Sequence, residues 1–95
     1  MNSTEQEQNE LLQAISKVVQ RRREQLSFTQ EELAQRAGLH RTYISDIERG
    51  ARNLSVRSLI RLAMALEMSV SGMLELAESR LQRNGNSNLL EGSAV

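Results

Sequence analysis

Residues 29–53 read TQEELAQRAGLHRTYISDIERGARN, and the order of caps and breakers in this stretch decides the fold. Thr29 followed three positions later by Glu32 is a capping-box pattern, in which each side chain satisfies a backbone donor of the other residue at the start of a helix. Leu33, Ala34 and Ala37 form the inner face of that helix, and Gly38 supplies the left-handed residue that ends it. A second pattern follows without slack. From about His40 to Arg49, Ile44 and Ile47 share one face with Tyr43 beside them, and Gly50 closes the helix. Two helices this short cannot stand alone in water, so their apolar faces must dock on flanking helices. With Ile44 and Ile47 inward, the helical period turns Arg41, Thr42, Ser45, Asp46 and Arg49 outward.

The flanks supply those helices. Upstream, Leu11, Leu12, Ile15, Val18 and Val19 recur at helical spacing and predict a long amphipathic helix over residues 9–25. Downstream, Ser55 is an N-cap for a fourth helix carrying Leu59, Ile60, Leu62, Ala63 and Leu66, and Ser69 or Ser71 opens a fifth carrying Met73, Leu74, Ala77 and Leu81. Met64, Met68 and Met73 read first as core residues at helical spacing. Proline is absent and the aromatics are limited to Phe28 and Tyr43, so strands have little support. The expectation is an all-α, five-helix domain over residues 9–83. It is flanked by a polar leader over residues 1–8 and an Asn/Gly/Ser-rich tail over residues 84–95, both expected to be disordered.

Composition removes several classes of function. The chain has no cysteine, which excludes disulfides and thiolate metal sites, and no apolar run of the roughly 20 residues that a spanning helix needs. The polar, acidic start is not a signal peptide, so a soluble, cytoplasmic protein is expected. The lone His40 has no second histidine or suitably spaced carboxylate to share a metal, and no nucleophile elbow, phosphate loop or His-anchored triad occurs. Neither a cofactor nor enzymatic activity is expected. The 12 basic and 12 acidic residues cancel overall, but not locally. Glu5, Glu7 and Glu10 make residues 1–16 acidic, whereas residues 17–53 carry eight basic side chains against five acidic ones. By itself such a mild bias fits a solvated helix face as well as a phosphate-binding surface.

The short helix, glycine turn and second short helix form helix-turn-helix geometry, and a helix of about 10–12 Å diameter fits the DNA major groove. The segments TQEELAQRAGLHRTYISDIERG and RNLSVRSLIRLAMALEMSVSGML resemble the Cro/phage-repressor, or xenobiotic-response-element, type of helix-turn-helix family over roughly residues 17–78. Within that family, RTYISDIERGARNLSVRSL is most similar to controller proteins of restriction-modification systems. The resemblance implies a compact, lambda-repressor-like domain that binds double-stranded DNA as a homodimeric transcription regulator on pseudo-palindromic operators. By position, it implies that Gln30 anchors a phosphate, that Arg41, Thr42, Ser45 and Asp46 face base edges, and that Arg23 pairs with Glu48 as a structural contact.

Physical chemistry supports this division. A helix N-terminus favours an anion, Arg41 can give guanine a bidentate pair, and Thr42 can donate, accept or touch a thymine methyl. Asp46 can accept from cytosine but repels phosphate. Arg49, Arg52 and Asn53 follow the reading helix as phosphate contacts. Tyr43 has two open roles, a phosphate contact through its hydroxyl or partial burial with the hydroxyl in water. His40 departs from the Ser, Thr or Asp usual at this N-cap, caps less well, and can reach DNA instead. The apolar face left over on the fifth helix is the candidate twofold interface. No small-molecule ligand or membrane partner is expected. The alternative reading is an antitoxin-type protein-interaction module with secondary DNA binding, whose partner segment would be the tail after Asn84.

Overall fold

The computed structural model describes residues 5–51 and 53–83, which form five helices: α1 (Glu5–Gln25), α2 (Gln30–Ala37), α3 (Arg41–Glu48), α4 (Val56–Ala65) and α5 (Val70–Arg83). α1 is longer than its apolar period indicates. It begins at Glu5 rather than Asn9, so the leader expected to be disordered is helical over residues 5–8. Glu5 and Glu7 in the first turn and Arg22 and Arg23 in the last complement the helix dipole at both ends, a stabilisation that hydrophobic spacing does not register. Residues 1–4 and the tail 84–95, on which the expectation of disorder and the antitoxin reading rest, lie outside the described residues.

The caps form as their residue types require. Thr29 Oγ1 accepts from the Glu32 amide at 3.0 Å while Glu32 Oε1 accepts from the Thr29 amide at 2.8 Å, so the capping box is complete. Ser55 Oγ accepts from the Ser58 amide at 3.0 Å and opens α4. α2 and α3 both end in a Schellman motif with glycine in the left-handed region, Gly38 and Gly50 each having φ of 70°. Leu39 donates to the Ala34 carbonyl and Ala51 to the Asp46 carbonyl, both at 2.9 Å, which ties off the last turns. α1 and α4 end the same way without glycine. Ser27 (φ 62°) and Glu67 (φ 60°) occupy the left-handed position, and Phe28 and Met68 donate back to Arg23 and Ala63 at 3.0 Å.

One core joins all five helices. Val19 from α1, Leu33 from α2, Ile44 and Ile47 from α3, Leu62 and Leu66 from α4 and its end, and Met73 from α5 are its largest fully buried side chains. α1 packs chiefly along α5, and α2 lies between α3 and α4. Two expected core residues are not in it: Ile60 is 44% and Met64 74% exposed. α4 is apolar on more than one side, and a ten-residue helix has only one face to bury, so Leu62, Ala63 and Leu66 go in while Val56, Ile60 and Met64 form a stripe outside. The leftover apolar face therefore lies mainly on α4 and not on α5, where Leu76 alone is a strongly exposed large apolar residue among the described residues.

Candidate nucleic-acid interface

α3 is held from behind and open in front. Ile44 and Ile47 are buried, and Glu48, at the end of the helix, is 9% exposed although charged. Its carboxylate is fully engaged. Arg23 of α1 donates from Nε to Glu48 Oε2 at 2.6 Å and from Nη2 to Oε1 at 3.1 Å, a bidentate pair, and its Nη1 donates to the Phe28 carbonyl at 2.8 Å. This hydrogen-bonded carboxylate raises the Arg23 pKa above its ordinary value despite burial, so the guanidinium stays charged. Gln30, the first residue of α2, donates from Nε2 to Glu48 Oε1 at 3.0 Å. One carboxylate thus joins α1, α2 and α3. The Arg23–Glu48 pair implied by the resemblance is present, and Gln30 belongs to the same network, which spacing along the chain did not reveal.

The turn is braced from a third side. Arg61 of α4 donates from Nη1 to the Gly38 carbonyl at 3.0 Å, fixing the bend between α2 and α3. The Arg36 guanidinium stacks over the Phe28 ring, 4.2 Å from its centroid. Arg61 lies on the polar side of a downstream helix, and its target is a backbone carbonyl 23 residues away, so no local pattern signals it.

The front of α3 presents polar side chains. His40 precedes the helix in extended conformation (φ −72°, ψ 145°) and makes no side-chain cap hydrogen bond. The first helix-type amide bond of α3 is Ile44 to the His40 carbonyl, so the amides of the opening turn have neither an intrahelical acceptor nor a cap from His40. His40, Arg41, Thr42, Arg49 and Asn53 are exposed, whereas Gln30, Tyr43, Ser45 and Asp46 are half-buried. Ser45 and Asp46 therefore sit at the edge of the outward face and not at its centre. Asp46 is also ion-paired with Arg49, one turn on, so these two expected DNA contacts meet each other. Arg52 lies outside the described residues.

A helix-turn-helix family model matches residues 19–72, more than half of the chain, from the last third of α1 to the start of α5. The chain belongs to the helix-turn-helix family. Among its relatives, the control protein C.SmaI of Serratia marcescens is 50% identical over 48 residues, covering 50% of this chain and 57% of that protein. The control protein C.BamHI of Bacillus amyloliquefaciens is 44% identical over 59 residues, covering 62% of this chain and 73% of that protein. The match thus spans little more than half of the first of these relatives. The restriction-modification controller protein C.Esp1396I, solved as a tetramer in complex with its natural 35 base-pair operator, superposes with a TM-score of 0.71 at 39% identity. That superposition covers 76% of this chain and 95% of that one. The clp gene regulator ClgR from Corynebacterium glutamicum gives a TM-score of 0.75 at 25% identity, covering 87% and 88% of the two chains. The all-α architecture and the likeness to restriction-modification controllers, both expected from the residues, are thus found. No helix among the described residues is long and apolar enough to cross a membrane.

Proposed function

We propose that this helix-turn-helix protein is a transcription regulator, not an enzyme, which binds double-stranded DNA in the cytoplasm as a homodimer on pseudo-palindromic operators. In this reading it serves as the controller of a restriction-modification system. The observation that carries the proposal is the exposure of Arg41 and Thr42 at the start of α3, on a helix locked from behind by Arg23, Glu48 and Gln30. Rigid backing with a free polar front is what major-groove readout requires, because base-edge hydrogen bonds demand a fixed helix position.

The roles follow from chemistry. Arg41 and Thr42 read bases, with Ser45 and Asp46 at the margin, while Gln30, Arg49, Arg52 and Asn53 hold phosphates, and His40 and Tyr43 flank the entry of α3. The Gln30 amide group has two hydrogens. One is held by Glu48, which leaves the other to donate to a phosphate oxygen. The relatives support dimeric or higher binding, since C.Esp1396I occupies its operator as a tetramer. The exposed α4 stripe of Val56, Ile60 and Met64 provides an apolar surface for the twofold contact.

Selection of genomic fragments by the purified protein, with affinity followed against salt, tests this function. An inverted repeat whose half-sites lie about 34 Å apart, one helical turn, is expected. Recovery of only sequence-blind, salt-sensitive binding would overturn it.

A further inference from the structure

Away from the reading helix, α1 and α5 enclose a cleft of about 210 Å³. Each helix brings one stripe to it, Val18, Arg22 and Gln25 from α1 and Leu76, Arg80 and Arg83 from α5, both at the spacing of successive turns. Arg21 and Met68 complete the lining, and no residue of α2 or α3 enters it. Its apolar part includes Leu76, which is 50% exposed. The lining carries four arginines and no carboxylate. Arg22 is fixed in place, its Nε donating to the Leu66 carbonyl at 2.9 Å, but a carbonyl supplies no counter-charge. Among the described residues, Arg21, Arg80 and Arg83 have no ion pair.

We propose that this cleft docks an acidic amphipathic helix of a partner protein, which seats a large aliphatic side chain on Leu76 and Met68 and brings carboxylates to the arginines. Charge selects the acid. Four guanidinium groups without a carboxylate among them favour an occupant with several, and each can hold one bidentately. Leu76 selects the aliphatic group, because covering it is favourable where the partner also removes apolar surface from water. Size selects a protein over a small molecule. At about 210 Å³ the cleft is smaller than the roughly 300–1,000 Å³ of sites that enclose a whole ligand, so it takes the anchor of a larger body. A nucleic acid supplies anions but no aliphatic anchor, and its bases stack on aromatic rings, of which the lining has none. On a helix, carboxylates one turn before and after an aliphatic residue share its face, which matches the one-turn steps from Leu76 to Arg80 and Arg83. Docking here leaves the front of α3 uncovered, so DNA and the partner do not compete.

The probe is a fluorescein-labelled, alanine-based helical peptide with a single leucine and glutamates one turn before and after it. It is titrated with the full chain at about 0.15 M ionic strength and followed by anisotropy. Replacing its glutamates by glutamine, or its leucine by alanine, is expected to weaken binding by about tenfold in each case. These peptide comparisons leave the protein unaltered, so they decide the question even where a protein variant fails to fold. In the protein, Arg21→Glu should cost about tenfold and Leu76→Ser a similar factor, whereas Arg57→Glu, an equal change of net charge on α4 outside the cleft, should leave the affinity unchanged. A peptide with lysines in place of the glutamates should bind the Arg21→Glu, Arg83→Glu double variant better than the unaltered chain. No binding of the glutamate peptide, equal binding of its glutamine version, or equal losses for Arg21→Glu and Arg57→Glu would overturn the proposal. So would displacement of the peptide by an equal concentration of octanoate or of a single-stranded oligonucleotide, because the cleft would then belong to a small acid or to nucleic acid.

Discussion

Gln30 and Glu48, 18 residues apart, share a hydrogen bond of 3.0 Å that makes the first side chain of α2 and the last of α3 a single unit. Glu48 is simultaneously the partner of Arg23, so the orientation of the reading helix depends on one buried carboxylate. Side-chain exposure is 13% for Arg23 and 4% for Glu48, which keeps water from replacing either partner. Glu48→Ala leaves a buried guanidinium without its acceptor and is expected to destabilise the fold by about 3–5 kcal/mol. Glu48→Gln retains an acceptor for Gln30 and should cost less. Urea denaturation of the two variants checks the order, and a larger loss for Glu48→Gln would refute the assignment.

At the DNA face, Arg41→Ala is expected to remove about 1–3 kcal/mol at one base position and relax specificity there. Arg52→Ala is expected to weaken binding to all sequences alike and lower the salt slope by about 1. Binding titrations on a panel of single-base operator variants, at several salt concentrations, separate the two behaviours. Identical responses would abolish the division into base readers and phosphate anchors.

The ion pair between Asp46 and Arg49 gives Asp46 a role besides the base reading proposed for it. Asp46→Asn removes a negative charge near the phosphates and releases Arg49 for them. Binding to unrelated DNA should strengthen and its salt slope steepen by about 1, while discrimination among operator variants falls. Competition assays with random-sequence DNA read both effects. An unchanged non-specific affinity would show that Arg49 is already available to phosphate.

The left-handed residues make a stability prediction of opposite signs. Ser27 and Glu67 pay for a conformation that glycine adopts freely, so Ser27→Gly or Glu67→Gly should stabilise by about 0.5–1 kcal/mol after allowing for the greater freedom of glycine in the unfolded chain. Gly50→Ala should destabilise by about 1–2 kcal/mol, because φ is 70° and a Cβ there would come within 2.6 Å of Gln13 Cδ, forcing that side chain to move. Thermal melts of the three variants give the signs directly.

The elements legible in the sequence were those set by near neighbours along the chain. Thr29 with Glu32, Gly38, Gly50 and Ser55 each act within a few residues, so their caps and turns could be named in advance. The outward placement of Arg41 and Thr42 follows in the same way from the burial of Ile44 and Ile47. What escaped depends on distant partners or on choices among equivalents. Arg61 reaches the Gly38 carbonyl from another helix, and Gln30 finds Glu48 across the turn. Ser27 and Glu67 carry no glycine signal for the left-handed turns they make. On α4, Ile60 and Met64 compete with Leu62 and Leu66 for the core, and only the direction from which α2 and α5 approach decides which pair is buried.

That choice on α4 carries the last prediction. Val56, Ile60 and Met64 stand one turn apart on a single face, and Met64 is 74% exposed. A lysine at position 64 loses no core contact in the monomer, so folding stability should stay within about 0.5 kcal/mol. In a twofold interface each copy would bring its own charge to the same apolar contact, where it is desolvated and unpaired. Met64→Lys is therefore expected to weaken dimerisation by about tenfold to hundredfold, and with it binding to an inverted repeat, while affinity for a single half-site is retained. Sedimentation equilibrium gives the first quantity and titration of whole and half operators the second. A Met64→Lys variant that still dimerises as tightly would move the twofold contact off α4 and leave Leu76 on α5 as the position to test.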